Sequence, residues 1–203
     1  MPDVLFYFDF GSPNAFLCHR VIPAVERRSG ATFDYVPILL GGLFKLTGNQ
    51  SPVTAFAGVR NKPEYERLEM QRFMARHEIT DFQMNPHFPI NTLQLMRGAV
   101  AAQELGVFAV YVDRVFDDMW VRGLDMGQPE VIARSLGEAG LPVEQLFALA
   151  QTPEVKQRLL DNTQQAFEKG AFGSPSFLIG DELYFGKDRL RDVEDAIAQS
   201  QLT

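Results

Sequence analysis

Residues 8–18 read F-D-F-G-S-P-N-A-F-L-C, and this stretch joins a strand pattern to a helix pattern. The aromatic and branched residues of 3–10 predict a β-strand that stops before Gly11. Ser12 is a favoured N-cap residue, and Pro13 suits the first helical position because the N–H that it lacks would be unpaired there. The stretch therefore predicts a strand followed at once by a helix that begins at Pro13.

The first part of the chain predicts a β-α-β unit and then a long helical block. Apolar residues at helical spacing place the first helix over Pro13–Ser29, with Gly30 at its end. Residues 32–40 are rich in aromatic and branched side chains, which predicts a second strand. Between about residues 43 and 170, helical patterns follow one another without a convincing strand. The predicted helices of this block are 63–77, 92–105, 107–121, 129–136, 143–150 and 153–169.

The last part of the chain predicts a β-β-α unit. Ser176–Ile179 and Glu182–Phe185 have strand composition, and the Gly-Asp pair at 180–181 between them is a hairpin signal. Residues 188–200 form an amphipathic helical pattern. Because Pro175 directly precedes the third strand, a cis Ser174–Pro175 bond is expected at this point.

The order β-α-β, helical block, β-β-α predicts an α/β thioredoxin-like fold with an inserted all-helical domain. We expect the thioredoxin-like domain to comprise residues 1–42 and 171–203. The inserted helical domain is then expected over residues 43–170.

Composition restricts the partners that this chain can bind. A net charge of −7 argues against nucleic acid as a partner, because phosphate binding requires a basic surface. The N-terminus resembles no secretory signal, and no apolar run is long enough to span a bilayer, so we expect a soluble, cytoplasmic protein. The single cysteine, Cys18, fits a reducing compartment and lies on the apolar stripe of the first helix, which predicts a core residue. No histidine pattern indicates a metal site.

Five stretches, spread in order over nearly the whole chain, carry a joint signature. They are FYFDFGSPNAF at 6–16, NKPEY at 61–65, NPHFPINT at 85–92, GAFGSPSF at 170–177 and LYFGKDRL at 183–190. Together they resemble the branch of the DsbA-like thioredoxin superfamily that contains kappa-class glutathione transferases and 2-hydroxychromene-2-carboxylate isomerases. Where thioredoxin-like redox proteins carry C-x-x-C, this chain has Ser12 and Ala15.

The resemblance implies that glutathione is the cofactor and supplies the missing sulfur. A helix N-terminus favours a nearby anion, so it lowers the pKa of a bound thiol from its usual value of about 8.5. Ser12, the expected catalytic residue, can then donate its hydroxyl proton to the thiolate. The alternative is that Ser12 only caps the helix.

By the same resemblance, further residues are expected to bind glutathione or the substrate. The glutathione-binding residues are expected to be Ser12, Lys62, Ser174, Pro175, Lys187 and Asp188, and the substrate-binding residues Lys62, Asn85, Phe88 and Asn91. Alternatives remain here as well: Lys62 can be an ordinary surface lysine, Asp188 an N-cap, and Ser174 and Pro175 part of an ordinary tight turn. Lys187 stands where a small or amide residue is expected. For His87 and Arg97, a surface or ion-paired role is favoured.

The activity that the resemblance implies is glutathione-dependent cis–trans isomerisation of 2-hydroxychromene-2-carboxylate to trans-o-hydroxybenzylidenepyruvate, a step of naphthalene-type aromatic catabolism. The partners are then glutathione, a small anionic aromatic substrate and a second copy in a homodimer. Two alternatives stay open: a kappa-like glutathione transferase or peroxidase, and a non-catalytic thioredoxin-like binding or chaperone module.

Overall fold

A four-stranded mixed sheet lies at the centre of the fold in the computed structural model, which describes residues 3–200. Its strands are β1 (Asp3–Phe8), β2 (Thr32–Pro37), β3 (Ser176–Ile179) and β4 (Glu182–Phe185), in the spatial order β2-β1-β3-β4. β1 pairs with β2 in parallel, whereas the β1–β3 and β3–β4 pairs are antiparallel. The predicted order of elements is confirmed, and the fold is thioredoxin-like.

Helices make up most of the rest of the described chain. They are α1 (Pro13–Ser29), α2 (Leu40–Thr47), α3 (Pro52–Ala55), α4 (Lys62–Arg76), α5 (Leu93–Glu104), α6 (Phe108–Trp120), α7 (Pro129–Glu138), α8 (Val143–Leu149), α9 (Pro153–Glu168) and α10 (Leu190–Ser200). A short 3₁₀ turn, Lys187–Arg189, precedes α10, so the predicted helix 188–200 begins with this tighter turn. No helix within residues 3–200 has the length and apolar character needed to cross a membrane.

Both predicted N-terminal strands were too long. β1 ends at Phe8 and β2 at Pro37, and the predicted strand residue Leu40 instead begins α2. The physical reason is a contact distant in sequence: an Asp9 carboxylate oxygen accepts the Leu40 N–H at 2.8 Å and satisfies a helix-start donor. The composition of residues 38–40 does not predict this contact. The short helix α3 was also not predicted.

One continuous hydrophobic core extends from the sheet into the helical block. Phe6 of β1 and Phe177 of β3 stack with ring centroids 5.2 Å apart, and both are fully buried. The same cluster contains Phe116 and Trp120 of α6. The other face of the sheet, around Tyr7, packs in a smaller cluster with side chains from α2 and α9. The predicted division at residues 42/43 and 170/171 stays a prediction.

Candidate active site at the start of helix α1

Ser12 is the N-cap of α1, as the sequence predicts. Its backbone is extended, with φ −98° and ψ 111°, and its Oγ accepts the Ala15 N–H at 3.2 Å. Pro13 occupies the first helical position. Ser12 is only 5% exposed, so its side chain does not lie on open surface.

The Ser12 hydroxyl also contacts the loop before β3. It donates to the Ser174 carbonyl at 2.8 Å, a contact between residues 162 positions apart. The Ser174–Pro175 bond is cis, which confirms the prediction. Because a serine hydroxyl has one proton, Ser12 cannot donate to a second acceptor while this bond exists. Any ligand that takes the Ser12 proton must therefore replace the Ser174 carbonyl.

Asp9 organises the same region and was not identified by the sequence reasoning. It is 1% exposed, and its carboxylate accepts the Gly11 N–H at 2.8 Å and the Leu40 N–H at 2.8 Å. The Thr92 hydroxyl donates to it as well, and the Asp9 N–H donates to Ser174 Oγ at 3.1 Å. Burial raises the pKa of Asp9, while these donated hydrogen bonds act in the opposite direction. The available signal was an acidic residue inside an apolar strand pattern.

The turn before α10 lies next to the cis-proline loop. The Pro175 carbonyl accepts the Gly186 N–H at 2.9 Å, which places Lys187 and Asp188 beside that loop. The Lys187 side chain is 5% exposed, and its Nζ donates to Asp188 Oδ1 at 2.6 Å. The structure thus links Ser12, Ser174, Pro175, Lys187 and Asp188 through successive contacts, and we call these five residues the Ser12 group.

Lys62 lies on a different segment. It begins α4, its Nζ pairs with Glu66 at 2.5 Å, and the ammonium lies 5.1 Å from the centroid of the Phe56 ring. The hydrogen bond from Lys62 to Glu66 raises the pKa of Lys62, so its ammonium stays charged. These contacts hold Lys62 against Phe56, which directly follows α3, and against its own helix, not against the Ser12 group.

The predicted substrate residues lie on the loop between α4 and α5, and their contacts differ. Asn85 is 3% exposed, and its amide donates to the Met119 and Leu124 carbonyls at 2.9 Å each. Its Oδ1 accepts the His87 N–H at 2.8 Å. Because the amide nitrogen and the amide oxygen both bind backbone groups, the contacts favour a role in stabilising the loop. Phe88 and Asn91 are more accessible than Asn85.

This loop approaches the Ser12 turn from the side of the helical block. Phe88 packs against Trp120 with ring centroids 5.9 Å apart, and Trp120 Nε1 donates to the Phe10 carbonyl at 2.8 Å. A Cβ at Gly11 would lie 3.2 Å from the Thr92 methyl group, so the small size of glycine permits this close approach. A second cis bond, Phe88–Pro89, occurs in the loop and was not predicted.

Comparison with known proteins identifies the family of the chain. The family model described as the DSBA-like thioredoxin domain matches residues 3–198. The chain belongs to this family. One relative is a 2-hydroxychromene-2-carboxylate isomerase from Sphingobium xenophagum, 24% identical over 189 residues, which are 93% of this chain and 94% of that protein.

Two further comparisons extend this result. Glutathione S-transferase kappa 1 from Homo sapiens is 25% identical over 203 residues, covering 91% of this chain and 85% of that protein. A solved structure of a 2-hydroxychromene-2-carboxylate isomerase superposes with a TM-score of 0.83 at 24% identity and covers 99% of each chain. At this identity the structural likeness establishes the fold.

This DsbA-like chain has no cysteine at the start of α1. Its single cysteine, Cys18, is fully buried, and burial raises the pKa of the thiol. The prediction that Cys18 is a core residue is confirmed, and its thiol is unsuited to act as a nucleophile.

Asn14, at the second helical position, was not identified from the sequence as a site residue. Within residues 3–200 its Oδ1 is the buried side-chain acceptor that has no hydrogen-bond donor.

Proposed function

We propose that the protein is a glutathione-dependent cis–trans isomerase acting on an anionic aromatic substrate of the 2-hydroxychromene-2-carboxylate type. The observation that carries the proposal is the hydroxyl of Ser12, placed at the start of α1 and bonded to the residue before the cis-proline. That position offers a proton donor and a helix N-terminus to a thiol that the start of α1 itself lacks. The named isomerase relative, which matches 93% of this chain, supports the same reading.

The hydrogen bonds of the Ser12 group suggest how glutathione is accepted. The Ser12 hydroxyl stops donating to the Ser174 carbonyl and donates to the thiolate instead. The new hydrogen bond is charge-assisted and therefore stronger. The Ser174 carbonyl is then free to accept the cysteinyl N–H of glutathione. This is the hydrogen bond that a peptide makes when it binds as an added strand. Each acceptor thus keeps one donor, and the exchange leaves no buried polar group unpaired.

The thiolate then acts as a nucleophile. The hemiketal ring of the substrate first opens: the bond between C2 and the ring oxygen breaks, the proton of the 2-hydroxyl passes to that oxygen, and a ketone conjugated with the cis double bond forms. The thiolate adds to this double bond, and the electron pair of the bond moves onto the conjugated carbonyl. The former double bond is now single and rotates. Elimination of the thiolate restores the double bond in the trans geometry, so glutathione is regenerated and no oxidant or reductant is required.

The remaining site residues provide charge and shape. Asp188, 63% exposed, pairs with the γ-glutamyl ammonium, while Phe88 and Asn91 form part of the wall for the aromatic substrate. Lys62 releases Glu66 and pairs with a ligand carboxylate. Asn85 acts through the loop that it holds. The cytoplasmic location, the catabolic role and the homodimer remain predictions.

The test is an ultraviolet assay of 2-hydroxychromene-2-carboxylate turnover with glutathione, without it, and with S-methylglutathione as a control. We expect turnover only with the free thiol and no net consumption of glutathione. Turnover that is independent of glutathione would refute the mechanism.

A kappa-like transferase is the second candidate, favoured by the human relative. It predicts stoichiometric loss of glutathione with an electrophile or a peroxide. The non-catalytic alternative predicts neither reaction.

A further inference from the structure

Lys187 is an unusual residue for the position that it occupies. Lysine side chains are rarely fully buried unless they are paired, yet Lys187 is 5% exposed. Its Nζ lies 2.6 Å from Asp188 Oδ1 and 5.3 Å from the centroid of the Phe73 ring of α4. Asp188, by contrast, is 63% exposed. A buried ammonium therefore binds one oxygen of a carboxylate side chain that is largely exposed to solvent.

We propose that Lys187 is a built-in competitor for the ammonium group of the ligand at Asp188. This inference rests on the proposed function, in which Asp188 receives the γ-glutamyl ammonium. In the free protein the Lys187 ammonium already neutralises that carboxylate. Glutathione must therefore weaken the Lys187–Asp188 pair or bind beside a like charge, and both lower its affinity. Lys187 is then a specificity-determining residue, because it reduces the gain in affinity that an amino group gives to a ligand.

The surroundings of Lys187 allow it to lose part of its contact with Asp188. The face of the Phe73 ring attracts the ammonium through its quadrupole. Glu69, one turn earlier on α4, provides a second carboxylate: the Arg72 guanidinium, and to a smaller extent Lys187, lower the pKa of Glu69. The ammonium therefore keeps favourable neighbours when a ligand binds to Asp188.

A direct role of Lys187 in binding the ligand carboxylate is the competing explanation. It requires the ammonium to be reachable from solvent. Its burial against Phe73 and behind Asp188 opposes that role, because the exposed group of the pair is the carboxylate.

The experiment measures glutathione binding by calorimetry to the wild type, Lys187→Met and Lys187→Gln. Each protein is also titrated with the glutathione analogue that lacks the α-amino group, in which a glutaryl group replaces the γ-glutamyl group. Lys169→Met is the matched control, because Lys169 also pairs with an aspartate, Asp181 at 3.1 Å, at the far end of the β3–β4 hairpin. It removes the same charge from the protein without touching Asp188.

We expect both Lys187 variants to bind glutathione about two- to five-fold more tightly, the range of a partly exposed ion pair. The affinity for the amine-free analogue should change less, and Lys169→Met should match the wild type. Weaker glutathione binding in the Lys187 variants would overturn the inference and assign Lys187 to the ligand carboxylate. An affinity equal to that of Lys169→Met would overturn it too.

The same titrations separate this inference from the proposed function. If the wild type binds glutathione and the Lys187 variants bind it no better, only the competition is refuted. If neither the wild type nor the variants bind glutathione, the proposed function fails together with the inference. Thermal unfolding identifies a variant that does not fold, and the Met and Gln replacements provide two independent chances of a folded protein.

Discussion

Replacement of Asp9 with Asn tests whether one buried carboxylate holds the Ser12 turn in place. Asp9 accepts the N–H groups of Gly11 and Leu40 at 2.8 Å each, and the Thr92 hydroxyl also donates to it. Asparagine has nearly the same shape, but one carboxylate oxygen becomes an NH₂ donor. That donor must then face one of the two backbone N–H groups, so a donor opposes a donor.

The expected loss of stability follows from the number of acceptors removed. A buried donor without an acceptor costs about 1–3 kcal/mol, and Asp9→Asn leaves one such donor. For a chain of this size this loss lowers the Tm by about 2–12 °C. Asp9→Ala removes the acceptor of all three donors and should cost at least about 3 kcal/mol.

The pH dependence of the effect has a definite sign. Burial raises the pKa of Asp9, so the folded protein holds this proton more tightly than the unfolded chain. The stability contributed by Asp9 is therefore fully present below its unfolded pKa and declines as the pH rises through its folded pKa. Asn does not titrate. The deficit of Asp9→Asn relative to the wild type should thus be largest at acidic pH and become smaller as the pH rises through the folded pKa of Asp9.

Urea unfolding of both proteins at pH about 4 and at pH about 7 measures how the deficit changes as the pH rises. Asp34→Asn is the control, because Asp34 is an exposed residue of β2 and its replacement should stay within about 0.5 kcal/mol of the wild type. Equal stability of Asp9→Asn and the wild type at both pH values would refute the role of Asp9. A deficit that grows toward neutral pH would refute the direction of its pKa shift.

Three further predictions concern the Ser12 group, Lys62 and the helical block. Ser12→Ala loses an N-cap worth about 0.5–2 kcal/mol of stability. The pKa of bound glutathione, followed by thiolate absorbance, should rise, and kcat should fall at neutral pH and partly recover at higher pH. An unchanged pKa of the bound thiol would mean that Ser12 is only a helix cap. Lys62→Met should raise KM or lower kcat/KM for the anionic substrate with a Tm close to that of the wild type, whereas full activity would make Lys62 an ordinary surface residue. Asp118→Ala removes a fully buried carboxylate that pairs with Arg114 and Arg122 and accepts the Ser135 hydroxyl. Because both arginines are partly exposed and still pair with Glu138, the expected loss in urea unfolding is about 1–3 kcal/mol, the cost of a buried donor without an acceptor, with no change in the glutathione affinity of the folded protein. Wild-type stability would contradict this.

Local patterns in the sequence were sufficient for the order of elements and for the start of the site. The N-cap at Ser12 and the proline after it depend on adjacent residues, and the burial of Cys18 follows from the helical period. The cap and the helical stripe arise from interactions within a few residues, which a sequence pattern records. The cis Ser174–Pro175 bond was expected because the order of elements is that of a thioredoxin-like fold with a proline directly before the third strand.

The tertiary structure alone decided which partners the polar side chains have. The Ser12 hydroxyl bonds to Ser174 from 162 positions away, and Asp9 satisfies the start of α2 from 31 positions away. Asn85 uses its amide on backbone carbonyls of distant residues, and Lys187 packs on Phe73 of α4. A side-chain hydrogen bond depends on the position of both groups in space, and no local period or composition encodes the second group. The sequence therefore determined where the site begins, and folding determined what its residues bind.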